Sequence, residues 1–138
     1  MSFIDEIKAR ARKNRKTIVL PESTDIRVLE AARKVTDEGF AKVILIGNRE
    51  ELQKIAGDIN ITDIEVIDPA TSSKTEEYVQ TFYELRKAKG MTEEKAKETM
   101  KNPIYYGTMM IKQGDADGLV SGSICSTADT LRPSLQIV

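Results

Sequence analysis

Histidine is absent from the 138 residues, and cysteine occurs once, at Cys125. Without histidine the common zinc-ligand spacings cannot be assembled, and every catalytic arrangement built on an imidazole base is excluded. A single cysteine cannot close a disulfide within the chain. An excess of one charge is lacking too. With 21 Lys and Arg against 22 Asp and Glu the net charge is -1, so no general field exists to gather nucleic acid or to coat an anionic membrane. Any anion site must be local. No stretch approaches the length of a membrane span, and Met1-Ser2-Phe3-Ile4-Asp5-Glu6 carries acidic residues where a signal peptide needs a basic patch and an apolar run. Internal repeats, low-complexity tracts and flexible linkers are missing as well. These absences read as a soluble, cytoplasmic protein, and a length of 138 with 40% hydrophobic residues suits one domain with a real core.

What is present is an alternation of short apolar runs and helical patterns. Phe3, Ile4, Ile7 and Ala11 share one side at helical spacing, which predicts an amphipathic surface helix from Phe3 to about Lys13. Thr17-Ile18-Val19-Leu20 is a β-branched run closed by Pro21, and its lack of polar alternation suits a strand covered on both faces. Ser23, Thr24 and Asp25 then offer helix caps, Val28, Leu29, Ala32 and Val35 recur at helical spacing, and Gly39 stands where that helix stops. Lys42-Val43-Ile44-Leu45-Ile46 is a second strand, followed by Gly47-Asn48 and a helix around Arg49 to Ala56.

Ile64 to Asp68, ahead of Pro69, reads as a third strand. Ser73 with Glu76 reads as a capping box opening a long helix to about Lys89, with Val79, Phe82, Tyr83 and Arg86 roughly in line. Thr92 caps a helix rich in Glu and Lys, and Asn102-Pro103 precedes a helix over Ile104 to Ile111. Gly118-Leu119-Val120-Ser121-Gly122 is the fourth strand. Ser126-Thr127-Ala128-Asp129 then supplies the cap and first turn of a helix that Pro133 either limits or restarts. The apolar end at Ser134 to Val138 reads as an element just beginning, which predicts a chain that continues beyond it. Repeated βα units with short connections predict an α/β fold, a three-layer αβα arrangement with a mainly parallel sheet.

Ligands of open α/β sheets collect beyond the carboxyl ends of the strands, where helix N-termini aim free N–H groups. Asp117-Gly118-Leu119-Val120-Ser121-Gly122-Ser123 fits that place best, with Ser126 and Thr127 adding hydroxyl donors beside a helix start that favours negative charge. Arg132, six residues past Ser126, could bring a planar fork to a phosphate held there, and Arg86 could supply a second fixed charge. The ordinary alternatives stand beside this: Gly122 as a turn glycine, Ser126 as a plain N-cap, and the arginines as solvated charges or partners for a glutamate such as Glu84. Asp115 and Asp117 read as turn formers rather than a catalytic pair. Cys125 lies ahead of a helix start that would lower its pKa, yet a packed free thiol is the commoner state of such a residue.

Ala116 to Gly122, followed by Ser126-Thr127-Ala128-Asp129-Thr130-Leu131-Arg132-Pro133-Ser134-Leu135-Gln136, resembles the central signature of bacterial and archaeal phosphate acetyltransferases. Ile18-Val19-Leu20-Pro21-Glu22, Tyr83-Glu84-Leu85-Arg86-Lys87 and Gly90-Met91-Thr92 agree with it, while Ser123-Ile124-Cys125 departs from some relatives. The resemblance implies the fold of the isocitrate and isopropylmalate dehydrogenases, in which a first domain built from both ends of the chain surrounds an inserted second domain. Residues 1–138 would be the front part of that first domain. It also implies reversible acetyl transfer between acetyl-CoA and inorganic phosphate, with coenzyme A and acetyl phosphate as substrates and no metal or prosthetic group. Arg86, Arg132, Ser126 and Thr127 would bind substrate, and the catalytic serine, aspartate and arginine would lie further along the polypeptide. A homo-oligomer, most simply a dimer, is expected, with another copy or partner covering the open sheet edge. Phosphate butyryl transfer, a non-catalytic acetyl-CoA sensor and a self-contained nucleotide-binding module are the competing readings.

Overall fold

In the computed structural model residues 2–122 and 127–137 are described, the last helix's first turn, 127–130, by its backbone alone. Four strands, β1 (Lys16–Leu20), β2 (Ala41–Ile46), β3 (Glu65–Ile67) and β4 (Gly118–Leu119), form one sheet in the order β3-β2-β1-β4. Every pairing is parallel, with Ile18 beside Val43 and Gly118, and Leu45 beside Val66. The helices α1 (Phe3–Lys13), α2 (Ile26–Glu38), α3 (Arg49–Ala56), α4 (Thr75–Arg86), α5 (Glu93–Thr99), α6 (Pro103–Lys112) and α7 (Thr127–Ile137) make the crossovers and outer layers.

The unbroken apolar run of β2 is explained by burial on both faces. Val43 and Leu45 meet Leu29, Ala32, Leu52 and Ile61 on one side, while Ile44 and Ile46 meet Phe82, Met100, Tyr106 and Met109 on the other. Two apolar layers sandwich the sheet, which gives the expected three-layer αβα fold. On the second face α6 is apolar nearly all round because strands and neighbouring helices both cover it. It lies so close to the sheet that a Cβ on Gly107 would stand 2.7 Å from Leu119 Cδ1 and 3.1 Å from Val19 Cγ1.

Local chemistry sets most helix ends as the sequence predicts. The side chains of Asp25, Asn48, Thr92 and Asn102 accept first-turn amides, and Gly39 closes α2 in the left-handed region. Four expectations need correction. Ser73 does not cap α4: Ser72 accepts the Lys74 N–H at 3.2 Å and Thr75 Oγ1 donates to Pro69 O at 2.6 Å, so a preceding turn sets the start. The same helix ends at Arg86, the remainder to Lys89 being a 3-10 turn. The fourth strand stops at Leu119, because the chain turns out of the sheet before Gly122, whose φ is +115°. Pro133 neither limits nor restarts a helix; it sits inside α7, buried, where its ring costs one backbone hydrogen bond and packs instead.

The first helix is amphipathic, as its spacing predicts, but packs through its basic side. Arg12 donates to Glu38 O at 2.8 Å and lies 4.8 Å from the centre of the Phe40 ring, whereas Phe3, Ile4 and Ile7 face outward.

Candidate functional site at the sheet switch point

From β1 the chain moves outward through β2 to β3, then returns to place β4 on the other side of β1. The two crossovers leaving β1 and reaching β4 therefore diverge, and a crevice opens beyond the carboxyl ends of these two strands. Pro21, Glu22 and Ser23, which leave β1, are all buried there. The Ser23 hydroxyl donates to Leu20 O at 2.6 Å and accepts from Ile46 N at 3.0 Å, so it ties the exit of β1 to the end of β2. Glu22, only 5% exposed, reaches the opposite way and accepts the backbone N–H of Gly122. That bond spans the switch point.

A cavity of about 250 Å³ opens beside it, with Leu20, Val28 and Val120 as apolar wall and Glu22, Arg27 and Ser121 as polar groups. Asp25 both caps α2 and grips Arg27, whose Nη2 lies 2.7 Å from the carboxylate. The hydrogen bond to Asp25, its charge and that of Glu22 hold the Arg27 guanidinium protonated above its ordinary range.

Thr127 opens α7 five residues past Gly122, and the first-turn amides of that helix have no carbonyl partner within it. Ser126 lies outside the described residues, as does Cys125. Arg132 is exposed in the middle of α7. Arg86, half-buried, is the last residue of α4 and its side chain has no hydrogen-bond or ion-pair partner among the described residues. Both helices cover one face of the sheet and touch each other, with α7 held further by Tyr105 donating to Gln136 at 3.0 Å. The two arginines thus stand on neighbouring helices, and no hydrogen bond joins them.

Asp115 and Asp117 are structural. Asp117 accepts the Thr17 N–H at 2.8 Å and its own N–H donates to Thr17 O, which fastens β4 to the start of β1. Asp115 accepts the Tyr78 hydroxyl, at the other end of the sheet from the crevice. Burial first, and then this bond, push the Tyr78 phenol well above its ordinary value.

A larger cavity, about 610 Å³, lies beyond β2 and β3. Gly47-Asn48 and Asp68-Pro69, which follow those strands, were its available sequence signal, equal in kind to the one after β4. Its rim mixes Lys97 and Lys101 with Glu51, Asp68 and Glu76, so no single sign of charge is concentrated there. Among the described residues no group of three or more His, Cys, Asp or Glu side chains could hold a metal, and no helix is long and apolar enough to cross a membrane.

The profile of the phosphate acetyl/butaryl transferase family matches residues 2–138. The chain belongs to this family. Among its transferase relatives, the phosphate acetyltransferase of Acetivibrio thermocellus is 55% identical over the whole chain, and that of Thermoanaerobacterium thermosaccharolyticum 53%. In both cases the chain spans 42% of the relative's length. Two solved transferases superpose closely. The EutD phosphotransacetylase from Staphylococcus aureus gives a TM-score of 0.88 at 43% identity, covering 98% of this chain and 41% of that one. A phosphotransacetylase from Streptococcus pyogenes gives 0.91 at 35% identity, covering 100% and 43%.

Proposed function

We propose that this polypeptide forms part of a phosphate acetyltransferase, moving an acetyl group reversibly between acetyl-CoA and inorganic phosphate to give acetyl phosphate and coenzyme A. The observation that carries the reading is the switch-point crevice beyond β1 and β4, with α7 beginning five residues past Gly122 and bearing Arg132, in a chain that matches the family along its length. Relatives named as acetyltransferases support acetyl rather than butyryl transfer.

In this reading the α7 amides, Ser126, Thr127 and Arg132 bind the phosphate oxygens, and Arg86 adds a charge from α4 toward phosphate or coenzyme A. The thiolate of coenzyme A attacks the acetyl carbon of acetyl phosphate, the carbon–oxygen bond breaks, and inorganic phosphate departs as the fixed donors neutralise its charge. The base that takes the thiol proton belongs to the length of the relatives that residues 1–138 do not span. Those residues form the front part of a discontinuous first domain of the dehydrogenase-like type, and the whole acts in the cytoplasm as a homodimer.

A coupled assay of acetyl-CoA formation from acetyl phosphate and coenzyme A tests this, on residues 1–138 and on the complete gene product. Activity confined to the complete product is expected. Activity in residues 1–138 alone would show that the catalytic groups lie within them, and inactivity of both would favour acetyl-CoA sensing.

A further inference from the structure

We propose that the cavity of about 610 Å³ beyond β2 and β3 is a second ligand site, taking a nucleoside diphosphate whose ribose carries free 2′ and 3′ hydroxyls. This goes beyond the acyl-transfer reading and does not depend on it. The volume falls within the roughly 300–1,000 Å³ of small-molecule sites. The place is also one that parallel sheets use, at the carboxyl ends of neighbouring strands. Ile46 pairs with Ile67, and the Gly47 N–H donates to Ile67 O at 2.9 Å, so the two strands end level with each other. Here β2, Gly47, α3 and β3 make one βαβ unit, and Asp68 follows its second strand, 21 positions after Gly47. A carboxylate at that point of a βαβ unit is placed to accept from ribose hydroxyls.

The lining accounts for each part of such a ligand. Pro69, Val79, Met100 and Pro103 give apolar surface for a planar base and offer no side-chain hydrogen bond to choose among bases. Asp68 Oδ1 accepts the Ala70 N–H at 3.0 Å, which fixes the carboxylate at the strand exit. No other hydrogen bond reaches it among the described residues, so Oδ2 is left for the ribose diol. Two helix starts border the cavity, and both are closed to an anion. Asn48 accepts the Glu51 N–H, Asn102 accepts those of Ile104 and Tyr105, and Glu50 and Glu51 stand in the first turn of α3. The phosphates therefore fall to Lys97 and Lys101, the cations among the described lining residues. Lys97 has no ion-pair partner among the described residues, and Lys101 meets the exposed Glu98 at 3.0 Å, a contact that a phosphate can replace. Glu51, Asp68 and Glu76 on the same rim keep these lysines from collecting anions at large, so binding needs the nucleoside. Coenzyme A does not meet these terms, because its ribose carries a 3′-phosphate where the Asp68 carboxylate needs a hydroxyl donor. The cavity shares no lining residue with the crevice at the switch point.

The test uses the complete gene product, with dissociation constants read by calorimetry in saturating coenzyme A so that the substrate site is filled. ADP should bind under these conditions. Both 2′-deoxy-ADP and 3′-phospho-ADP should bind roughly 10-fold more weakly or worse, the size of a lost hydrogen bond to a charged group. Adenosine, lacking the lysine contacts, should also fall short of ADP by about 10-fold. Asp68→Asn keeps an acceptor for Ala70 and removes the charge, so the preference for ADP over 2′-deoxy-ADP should shrink to within about 3-fold. Lys97→Ala combined with Lys101→Ala should shrink the preference for ADP over adenosine and leave that over 2′-deoxy-ADP in place. A merely structural role for these residues would move every affinity together and leave the ratios unchanged.

Loss of ADP binding when coenzyme A is added would overturn the proposal, since the nucleotide would then be occupying the substrate site. A parent protein that binds no ADP would overturn it too, as would an ADP preference over 2′-deoxy-ADP that Asp68→Asn leaves intact. If Asp68→Asn fails to fold, the lysine variant and the three analogues decide. A parent protein without acyl transfer, yet with the nucleotide ratios described, would refute the proposed reaction and leave this site standing.

Discussion

Ser23 illustrates how much one hydroxyl can hold at this site. It is 1% exposed, and its oxygen both donates to Leu20 O and accepts from Ile46 N. Ser23→Ala leaves a buried amide and a buried carbonyl short of a partner, so a loss of about 1–3 kcal/mol is expected, read as a lower urea midpoint with an unchanged slope. Tyr78 sets a different dependence. Its phenol is raised by burial and by the bond to Asp115, so the folded state holds the proton more tightly than the unfolded chain does. The stability this represents is complete below the unfolded value, about 10, and declines as pH rises beyond it. Urea midpoints should fall above about pH 10, and Tyr78→Phe should flatten that fall while weakening the protein at neutral pH by leaving Asp115 without its donor. Neither role was legible from the residue types alone. Ser23 reads as one of three neighbouring cap candidates, and the cap proved to be Asp25; pairing Tyr78 with Asp115 requires the fold.

At the scale of elements, the close approach of α6 to the sheet depends on Gly107. A methyl group there would press on Val19, which is fixed in the central strand, and on Leu119 in the short β4. Gly107→Ala should cost about 1–3 kcal/mol by overpacking, despite alanine's better helix propensity, with a calorimetric Tm as the measure. Elements whose ends are set by their own neighbours were readable: the β-branched run of β1, the Asn102-Pro103 start of α6, the Gly39 stop of α2. Elements set by distant contacts were not. The start of α4 follows a turn folded back on Asp68 and Pro69, and α7 runs through Pro133 because packing on α6 outweighs the local rule against it. The outward turn of Phe3, Ile4 and Ile7 has the same origin, since two cations over Phe40 decide which side of α1 docks. Spacing gives a helix two faces without saying which will find a partner.

For the molecule as a whole, the α/β class and parallel sheet could be read from alternation, whereas the strand order could not, because no local pattern says on which side of β1 the fourth strand returns. The candidate site was legible to the extent that loop glycine and helix start lie together in the sequence. The contribution of Glu22 was not, being 100 residues away from its partner. Val120 is 63% exposed, and Leu131 and Leu135, one turn apart on α7, are 53% and 81% exposed. Residues 1–138 expressed by themselves should accordingly self-associate, with sedimentation showing mass rising with concentration, and Leu135→Lys should reduce the effect. A monomer at all concentrations would contradict this.

The pairing of β1 with β4 also has a consequence in time. Strand β1 is central, but Thr17 and Glu22 each wait for a partner 100 positions later. At ribosomal rates of about 5–20 residues per second, β1 and β2 can meet several seconds before the far side of β1 is covered. During that interval the nascent chain carries an open apolar strand edge, so the order of synthesis makes this boundary the place where a holdase has most to shield, and where a pause in translation would do most harm.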